Sequence, residues 1–236
     1  MTARLDAVLF DAGGVLMTPD PGQTLIALAP LGGSQDPSRH VRAHWAGIAA
    51  LEHALLAAGS ATIDVPDWTL YWRAFAAAAG VPDDRLDAAA AAMARIFSAY
   101  LWTHPLAEAV AALAQLHRRN VPMGVVSNAS GQIEATLRYR GVCQVGQGSG
   151  VPVLCVIDSH VVGVAKPDPA IFTFALDALG LPPGRVGYVG DSVINDVGGA
   201  TAAGLVPLLL DPFDDRAHLE GVERIASLHE LHAMFD

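Results

Sequence analysis

The alternation of short apolar runs and helical stretches after Pro105 constrains this chain's fold more than any other feature of its sequence. The apolar runs lie at residues 121–126, 153–157, 186–189 and 205–210, and the helical stretches end at Arg119 or follow Asn128, Asp168 and Ile194. Because continuous apolar runs separated by helical crossovers are typical of parallel strands, we predict a parallel sheet with helices on both faces. A further apolar run at residues 5–10 is the expected first strand.

The segment from Thr18 to Leu101 interrupts this alternation, and no clear buried strand lies within it. Its Ala-rich amphipathic stretches, separated by Gly, Pro and Asp, occupy residues 37–58, 67–79 and 83–100. Because Ala is the best helix former, these stretches favour packed helices over linkers. We therefore predict two domains: an α/β core of residues 1–18 and 101–236, and an all-helical insert of residues 19–100.

Composition and charge restrict the classes of function. The 236 residues are 52% hydrophobic and 16% charged, which provides enough apolar surface for a folded core. The net charge of -10 argues against a nucleic-acid partner, because such proteins need a basic face. We expect no signal peptide, no membrane span and a cytoplasmic location, since no apolar run reaches the roughly 18 residues of a span. Cys143 and Cys155 are expected to be reduced and structural.

Polar residues follow several of the predicted strands at the point where each strand ends. Asp11 follows the first strand, Ser127 and Asn128 follow the second, and Gly190 and Asp191 follow another. In open α/β sheets ligands bind at the edge formed by the carboxyl ends of the strands. Carboxylates at that edge, with helix N-termini directed at it, suit an anion bridged by a metal ion.

Four ordered motifs in this chain resemble those of haloacid dehalogenase-like hydrolases. They are residues 8–16 (VLFDAGGVL), 125–128 (VVSN), 164–169 (VAKPDP) and 189–196 (VGDSVIND). Each motif alone is weak, and the four in this order are strong. The resemblance implies an α/β fold class, a Rossmann-like parallel sheet with helices on both faces plus a small all-helical cap domain that closes over the substrate. It also implies a hydrolase, with a small-molecule phosphatase as the leading expectation.

The resemblance carries roles to individual residues. Asp11 would be the nucleophile that forms an aspartyl phosphate, and Ser127 would donate to the phosphoryl oxygens. Magnesium prefers hard oxygen ligands, which Asp11, the Gly13 carbonyl, Asp191 and Asp196 would provide. The groups expected to contact the substrate are Asn128, Gly13, Gly14 and Arg42. The expected partner is a small phosphorylated metabolite, with the protein acting as a monomer or homodimer.

Lys166 is expected to neutralise both the nucleophile and the transferring phosphoryl group. It is the only lysine in the chain, beside thirteen arginines. A composition that otherwise avoids lysine keeps one within the third motif, where a compact ammonium suits the site better than a wide guanidinium.

Gly13 departs from the pattern of the phosphatases in this family, which place a second Asp there to protonate the leaving group. General acid catalysis is typically worth about 10²- to 10⁴-fold. Activity is therefore expected to be weak or limited to good leaving groups, or to use Asp20 or a histidine of the cap as the acid, or to be another reaction. A 2-haloacid dehalogenase and a non-catalytic phospho-ligand-binding protein remain alternatives. Cleavage of carbon–phosphorus bonds is disfavoured, because relatives with that activity use a cap lysine and residues 19–100 contain none.

Several other features have structural interpretations. His40 and His44 have the spacing of a metal pair, but we favour a solvated helix face for them. Trp68 and Trp72 are expected to pack the insert. The Gly-rich stretch 146–150 is predicted to be a loop. Simple helix N-terminal roles remain open for Asp191 and Asp196, and surface roles for Arg39, Arg42 and Arg73.

Overall fold

The computed structural model describes residues 4–59, 68–98 and 100–235. The chain divides into two compact units, Met1–Met17 together with Pro105–Asp236, and Thr18–His104. The first unit is called the core and the second the insert. The domain boundaries predicted from the sequence lie between residues 18 and 19 and between residues 100 and 101.

In chain order the strands are β1 (Ala7–Phe10), β2 (Met17–Pro19), β3 (Trp102–Pro105), β4 (Met123–Ser127), β5 (Cys143–Val145), β6 (Val151–Val153), β7 (Cys155–Asp158), β8 (Val186–Gly190), β9 (Val206–Leu210) and β10 (Arg224–Ile225). The α-helices are α1 (Pro21–Leu28), α2 (Pro37–Ala57), α3 (Thr69–Ala78), α4 (Leu86–Ile96), α5 (Ala107–Arg118), α6 (Ile133–Tyr139), α7 (Ser159–Val162), α8 (Ala170–Leu179) and α9 (Gly199–Ala202). Val193–Gly198 forms a π-helix, and Leu228–Met234 forms a 3₁₀ helix.

The core contains a six-stranded sheet in the order β10-β9-β8-β1-β4-β7. Each neighbouring pair is parallel, as predicted. Alternate residues of β1 face opposite sides: Val8 and Phe10 join one apolar cluster, and Ala7 and Leu9 join another. Residues of α5 and the 3₁₀ helix pack into the first cluster, and residues of α8 and α9 pack into the second. Helices therefore cover both faces of the sheet, which confirms the predicted fold class.

The strand register determines which residues meet at the carboxyl edge. Phe10 is paired with Val125 on one side and with Val189 on the other. Asp11 is the next residue after Phe10, so it leaves the sheet between the ends of β4 and β8. Asp11 is buried at this central position of the sheet edge.

Within the described part of the insert, the regular structure is helical apart from the ends of two short strands that were not predicted. β2 and β3 form a two-stranded sheet where the chain enters and leaves the insert. The helices enclose an apolar core that includes Trp72, Tyr71 and Phe75, with Trp68 packed against it, which confirms the structural role predicted for Trp68 and Trp72.

His40 and His44 are buried in the insert, so the prediction of a solvated helix face was wrong. His40 Nδ1 lies 2.9 Å from Thr24 Oγ1 and its Nε2 lies 2.9 Å from the Ser34 carbonyl oxygen. His44 Nδ1 lies 2.8 Å from the Tyr71 hydroxyl. The imidazoles satisfy polar groups inside the packed helices, and periodicity alone could not distinguish this role from a polar face.

Two details of the core differ from the prediction. The apolar run 153–157 is not one strand: Val153 ends β6, which pairs with β5, and Cys155 begins β7 in the main sheet. The loop between β5 and β6 contains the Gly-rich stretch 146–150, as predicted. Among the described residues no helix combines the length and apolarity needed to cross a membrane.

Both cysteines are free thiols, as expected from the sequence. Burial raises the pKa of Cys143 to about 12 and that of Cys155 to about 11. Because the thiolate is the reactive form, these side chains are inert packing groups at neutral pH.

Candidate active site

Lys166 is the centre of the polar cluster at the carboxyl edge of the sheet. Its ammonium lies 3.0 Å from Asp11 Oδ1 and 2.6 Å from Asp196 Oδ1, and its side chain is only 2% exposed. Burial lowers the pKa of Lys166, but the nearby charges of Asp11 and Asp196 outweigh burial and raise it. The ammonium is therefore a fixed positive charge beside the Asp11 carboxylate.

The side-chain amide of Asn128 holds the main chain of Lys166. The Asn128 Oδ1 accepts a hydrogen bond from the Lys166 backbone N–H at 2.8 Å, and its Nδ2 donates to the Lys166 carbonyl oxygen at 2.9 Å. The second motif of the sequence thus positions the lysine of the third motif. The predicted contact of Asn128 with substrate stays a prediction.

Tyr188, which the sequence analysis missed, also contacts Lys166. Its hydroxyl accepts from the Lys166 ammonium at 2.8 Å and lies 2.9 Å from the Val126 carbonyl oxygen and 3.0 Å from Asp196 Oδ1. Burial and the neighbouring carboxylates raise the pKa of Tyr188, so the hydroxyl stays protonated. Tyr188 lies within the apolar run 186–189, and its polar end gave no signal in the sequence.

Asp11, Asp191 and Asp196 form a buried acidic cluster beside this lysine. One carboxylate oxygen of each lies within 4.8 Å of the others. The pKa of Asp11 is raised to about 7, first by burial and also by the charges of Asp196 and Asp191, against the lowering effect of Lys166. Three crowded carboxylates beside one ammonium form an oxygen-rich, negatively charged site of the kind that Mg²⁺ prefers. The residues present therefore fit the ion that the resemblance implies.

The loop after β8 directs Asp196 back toward the cluster. The Asp196 Oδ2 accepts from the Ser192 N–H at 2.9 Å, and the Ser192 hydroxyl accepts from the Asn195 N–H at 3.0 Å, which caps the following helix. Ser192 therefore fills the capping role, and both neighbouring acids are left for the cluster. A Cβ built on Gly190 would overlap the Asp196 carboxyl group, so only glycine allows this close approach.

The backbone after Ser127 is held by the next strand. Ser127 ends β4, is buried, and pairs in register with Asp158 at the end of β7. Asp158 Oδ2 accepts from the Gly131 N–H at 2.8 Å, and the Ser159 hydroxyl accepts from the Ala129 N–H at 3.1 Å. These contacts fix the loop that follows Ser127, and Asp158 is a second residue that the sequence analysis did not identify.

Gly13 and Gly14 form the turn that follows Asp11. Gly14 has φ of 70° and donates its N–H to the Met17 carbonyl oxygen at 2.8 Å. Gly13 does not have a positive φ, so its backbone conformation is open to residues with a side chain. The glycine at position 13 is thus a chemical difference from the usual Asp and not a requirement of the turn.

The candidate groups of the insert have the following environments. Arg42 is half-buried on α2, Arg39 is exposed, and Arg73 pairs with Asp87. Asp20 caps α1, where its Oδ1 accepts from the Gly22 N–H at 2.8 Å. The roles predicted for Arg42 in substrate binding and for Asp20 as a replacement acid stay predictions.

Replacing Tyr188 by Phe is expected to lower the free energy of unfolding by about 1–3 kcal/mol, because the hydrogen-bonding groups around Lys166 lose their hydroxyl while remaining buried. Urea denaturation at neutral pH measures the change. Tyr139→Phe is the matched control, since Tyr139 is 85% exposed and its hydroxyl removal should change stability by less than about 0.5 kcal/mol. Equal effects of the two variants would contradict the role given to Tyr188.

Comparisons with known proteins identify the family of this chain. The family model for haloacid dehalogenase-like hydrolases matches residues 5–204. Phosphoglycolate phosphatase of Rhodospirillum rubrum is 34% identical over 172 residues, covering 70% of this chain and 65% of that protein. Phosphoserine phosphatase of Thermus thermophilus is 34% identical over 104 residues, covering 44% of this chain and 39% of that protein. The match thus covers less than two thirds of the length of either relative.

A solved structure supports the fold. The HAD phosphatase from Thermococcus onnurineus is similar with a TM-score of 0.57 at 22% identity, covering 98% of this chain and 97% of that chain. The matched residues 5–204 contain all four motifs and all three acids of the cluster. On this basis the chain belongs to the haloacid dehalogenase-like hydrolase family.

Proposed function

We propose that this protein is a magnesium-dependent phosphatase that acts on a small phosphorylated metabolite through an aspartyl phosphate on Asp11. The observation that carries the proposal is the buried cluster in which Lys166 lies 3.0 Å from the Asp11 carboxylate and two further acids complete an oxygen-rich site. The phosphatase names of the curated relatives support the choice of a phosphoryl group over other leaving groups.

The reaction we propose has two steps. A carboxylate oxygen of Asp11 attacks phosphorus, and the bond between phosphorus and the leaving oxygen breaks as the aspartyl phosphate forms. Water then attacks phosphorus, the bond to Asp11 breaks, and inorganic phosphate leaves with the carboxylate restored. Ser127 and the backbone after it would donate hydrogen bonds to the phosphoryl oxygens, and Lys166 would neutralise the charge on them.

Asp11, the Gly13 carbonyl and Asp191 are the groups we assign as Mg²⁺ ligands, and a bound Mg²⁺ would supply charge neutralisation for the phosphoryl group. We assign Asp196 a different role. Its Oδ1 already accepts from Lys166 at 2.6 Å and its Oδ2 from the Ser192 N–H at 2.9 Å. Asp196 therefore serves mainly to hold the ammonium in place.

Gly13 limits the class of substrate. With no carboxylic acid at that position, the leaving oxygen must depart with little help from a proton donor. We therefore expect acyl, anomeric and aryl phosphates to react faster than alkyl phosphates, whose leaving groups are more basic. A cytoplasmic location and a monomeric or homodimeric state remain predictions.

Phosphate release from a panel of acyl, sugar and aryl phosphates, with Mg²⁺ or with EDTA, tests the proposal. We expect turnover only with Mg²⁺ and the highest rates with the acyl and aryl compounds. The same panel includes a 2-haloacid, because Gly13 is also compatible with dehalogenation. If halide release persists in EDTA and no compound releases phosphate, the protein is a dehalogenase and not a phosphatase.

A further inference from the structure

A buried ion pair lies beside the acidic cluster and is not part of the four motifs. Asp211 directly follows β9, and its side chain is fully buried; the Arg216 side chain is 2% exposed. Arg216 Nη1 lies 3.6 Å from Asp211 Oδ1, and the Arg216 backbone N–H donates to Asp211 Oδ2 at 3.0 Å. Both residues lie beyond residue 204, where the family match ends.

The guanidinium of Arg216 reaches the loop that carries Asp191. Its Nη2 donates a hydrogen bond to the Asp191 carbonyl oxygen at 2.8 Å. The N–H of the same peptide group belongs to Ser192 and donates to Asp196 Oδ2 at 2.9 Å. The peptide group that follows Asp191 is therefore held at both of its polar atoms by buried charged side chains.

This clamp has a direct consequence for the Asp191 carboxylate. Fixing the plane of the following peptide fixes ψ of Asp191, and so limits the directions that its side chain can take. Burying a guanidinium and a carboxylate away from water is costly, and a well-packed apolar pair often stabilises a fold as well or better. Stability alone therefore does not account for a buried arginine whose donor points at the backbone of a proposed metal ligand.

We propose that Arg216 is a positioning residue that fixes the orientation of Asp191 and thereby sets the affinity of the acidic cluster for a divalent cation. The inference rests on the proposed function, since it takes Asp191 as a ligand of that cation. Arg216 acts through the backbone and contacts neither substrate nor the reacting atoms. Groups that orient metal ligands typically change metal affinity by about 10- to 100-fold when they are removed.

Isothermal titration of the full chain with Mg²⁺ tests the inference, and the unfolding temperature is measured for every variant. Arg216→Gln and Arg216→Lys are expected to raise the dissociation constant for Mg²⁺ by about 10- to 100-fold. The lysine variant keeps the charge that pairs with Asp211 but loses the planar fork. It therefore separates a loss of orientation from a loss of folding.

Arg224→Gln is the matched control. Arg224 also pairs with Asp211, at 3.0 Å, but its side chain is 28% exposed and its second ion pair is with Asp214. We expect this variant to bind Mg²⁺ like the wild type, even where its unfolding temperature falls. The Mg²⁺ concentration for half-maximal phosphate release should rise in both Arg216 variants, while kcat at saturating Mg²⁺ changes by less than the dissociation constant does.

Three outcomes would overturn the inference. Wild-type Mg²⁺ affinity in a folded Arg216→Lys variant would show that the contact does not orient the ligand. An equal loss of affinity in Arg224→Gln would show that the ion network acts only through stability. Absence of Mg²⁺ binding to the wild-type chain would remove both this inference and the proposed function, whereas the first two outcomes leave the proposed function intact.

Discussion

The Asp11→Asn variant is expected to release phosphate about 10⁴-fold or more slowly than the wild type, because an amide cannot replace the carboxylate as nucleophile. Rates are compared under saturating Mg²⁺ with the best aryl phosphate of the panel. The substitution preserves shape and removes one of three crowded carboxylates, so the fold should remain intact. The loss would then belong to the chemistry and not to unfolding.

A stability measurement in EDTA provides the control for Asp11→Asn. The folded pKa of Asp11 is about 7, above the reference value of 3.8, so the folded state binds this proton more tightly than the unfolded state. The contribution of Asp11 to stability is therefore present below about pH 4 and is lost as the pH rises toward 7. In Asp11→Asn this loss of stability between pH 4 and 7 should be smaller. An Asn variant as active as the wild type would contradict the proposed nucleophile.

Replacing Gly13 by Asp is expected to raise kcat for alkyl phosphates by about 10²- to 10⁴-fold, because the new carboxyl group can protonate a basic leaving oxygen. The gain should be much smaller for aryl and acyl phosphates, whose leaving groups need little protonation. The backbone at Gly13 does not have a positive φ, so the variant is expected to fold. Initial rates for a matched alkyl and aryl pair measure the difference.

Gly13→Asn is the matched control for this gain, because it adds a similar volume without an acidic proton. It should leave the ratio of alkyl to aryl rates unchanged. A wild type that already hydrolyses alkyl phosphates rapidly would show that another group supplies the proton, with Asp20 the first candidate. A wild type without turnover, restored by Gly13→Asp, would instead favour a protein that binds its phosphorylated ligand without hydrolysing it.

The sheet could be predicted from the sequence because its strands are buried on both faces. Continuous apolar runs such as the one before Asp11 are distinctive of parallel strands, and the helices between them leave little choice of topology. The split of residues 153–157 between β6 and β7 was not predictable, since both parts are equally apolar and only tertiary pairing separates them. No helix was predicted at α1, where Pro21 begins the helix and Asp20 caps it.

The candidate site was predictable to the extent that its residues follow strands. Asp11 and Asp191 stand directly after apolar runs, and Lys166 is unique in the chain. Tyr188 and Arg216 were missed for opposite reasons. The tyrosine is hidden among apolar residues of β8, while the arginine lies in an irregular segment far along the chain, and only the folded structure brings it to the Asp191 backbone.

We propose that the buried carboxylates of Asp11 and Asp191, beside Lys166, form a divalent-cation site for phosphoryl transfer. A crystal structure of the protein soaked with Mn²⁺, a Mg²⁺ substitute visible by anomalous scattering, tests it most directly. We predict one anomalous peak about 2.0–2.3 Å from carboxylate oxygens of both Asp11 and Asp191. If the protein is active with Mn²⁺ but every anomalous peak in the crystal lies away from these two carboxylates, the proposed cation site is wrong.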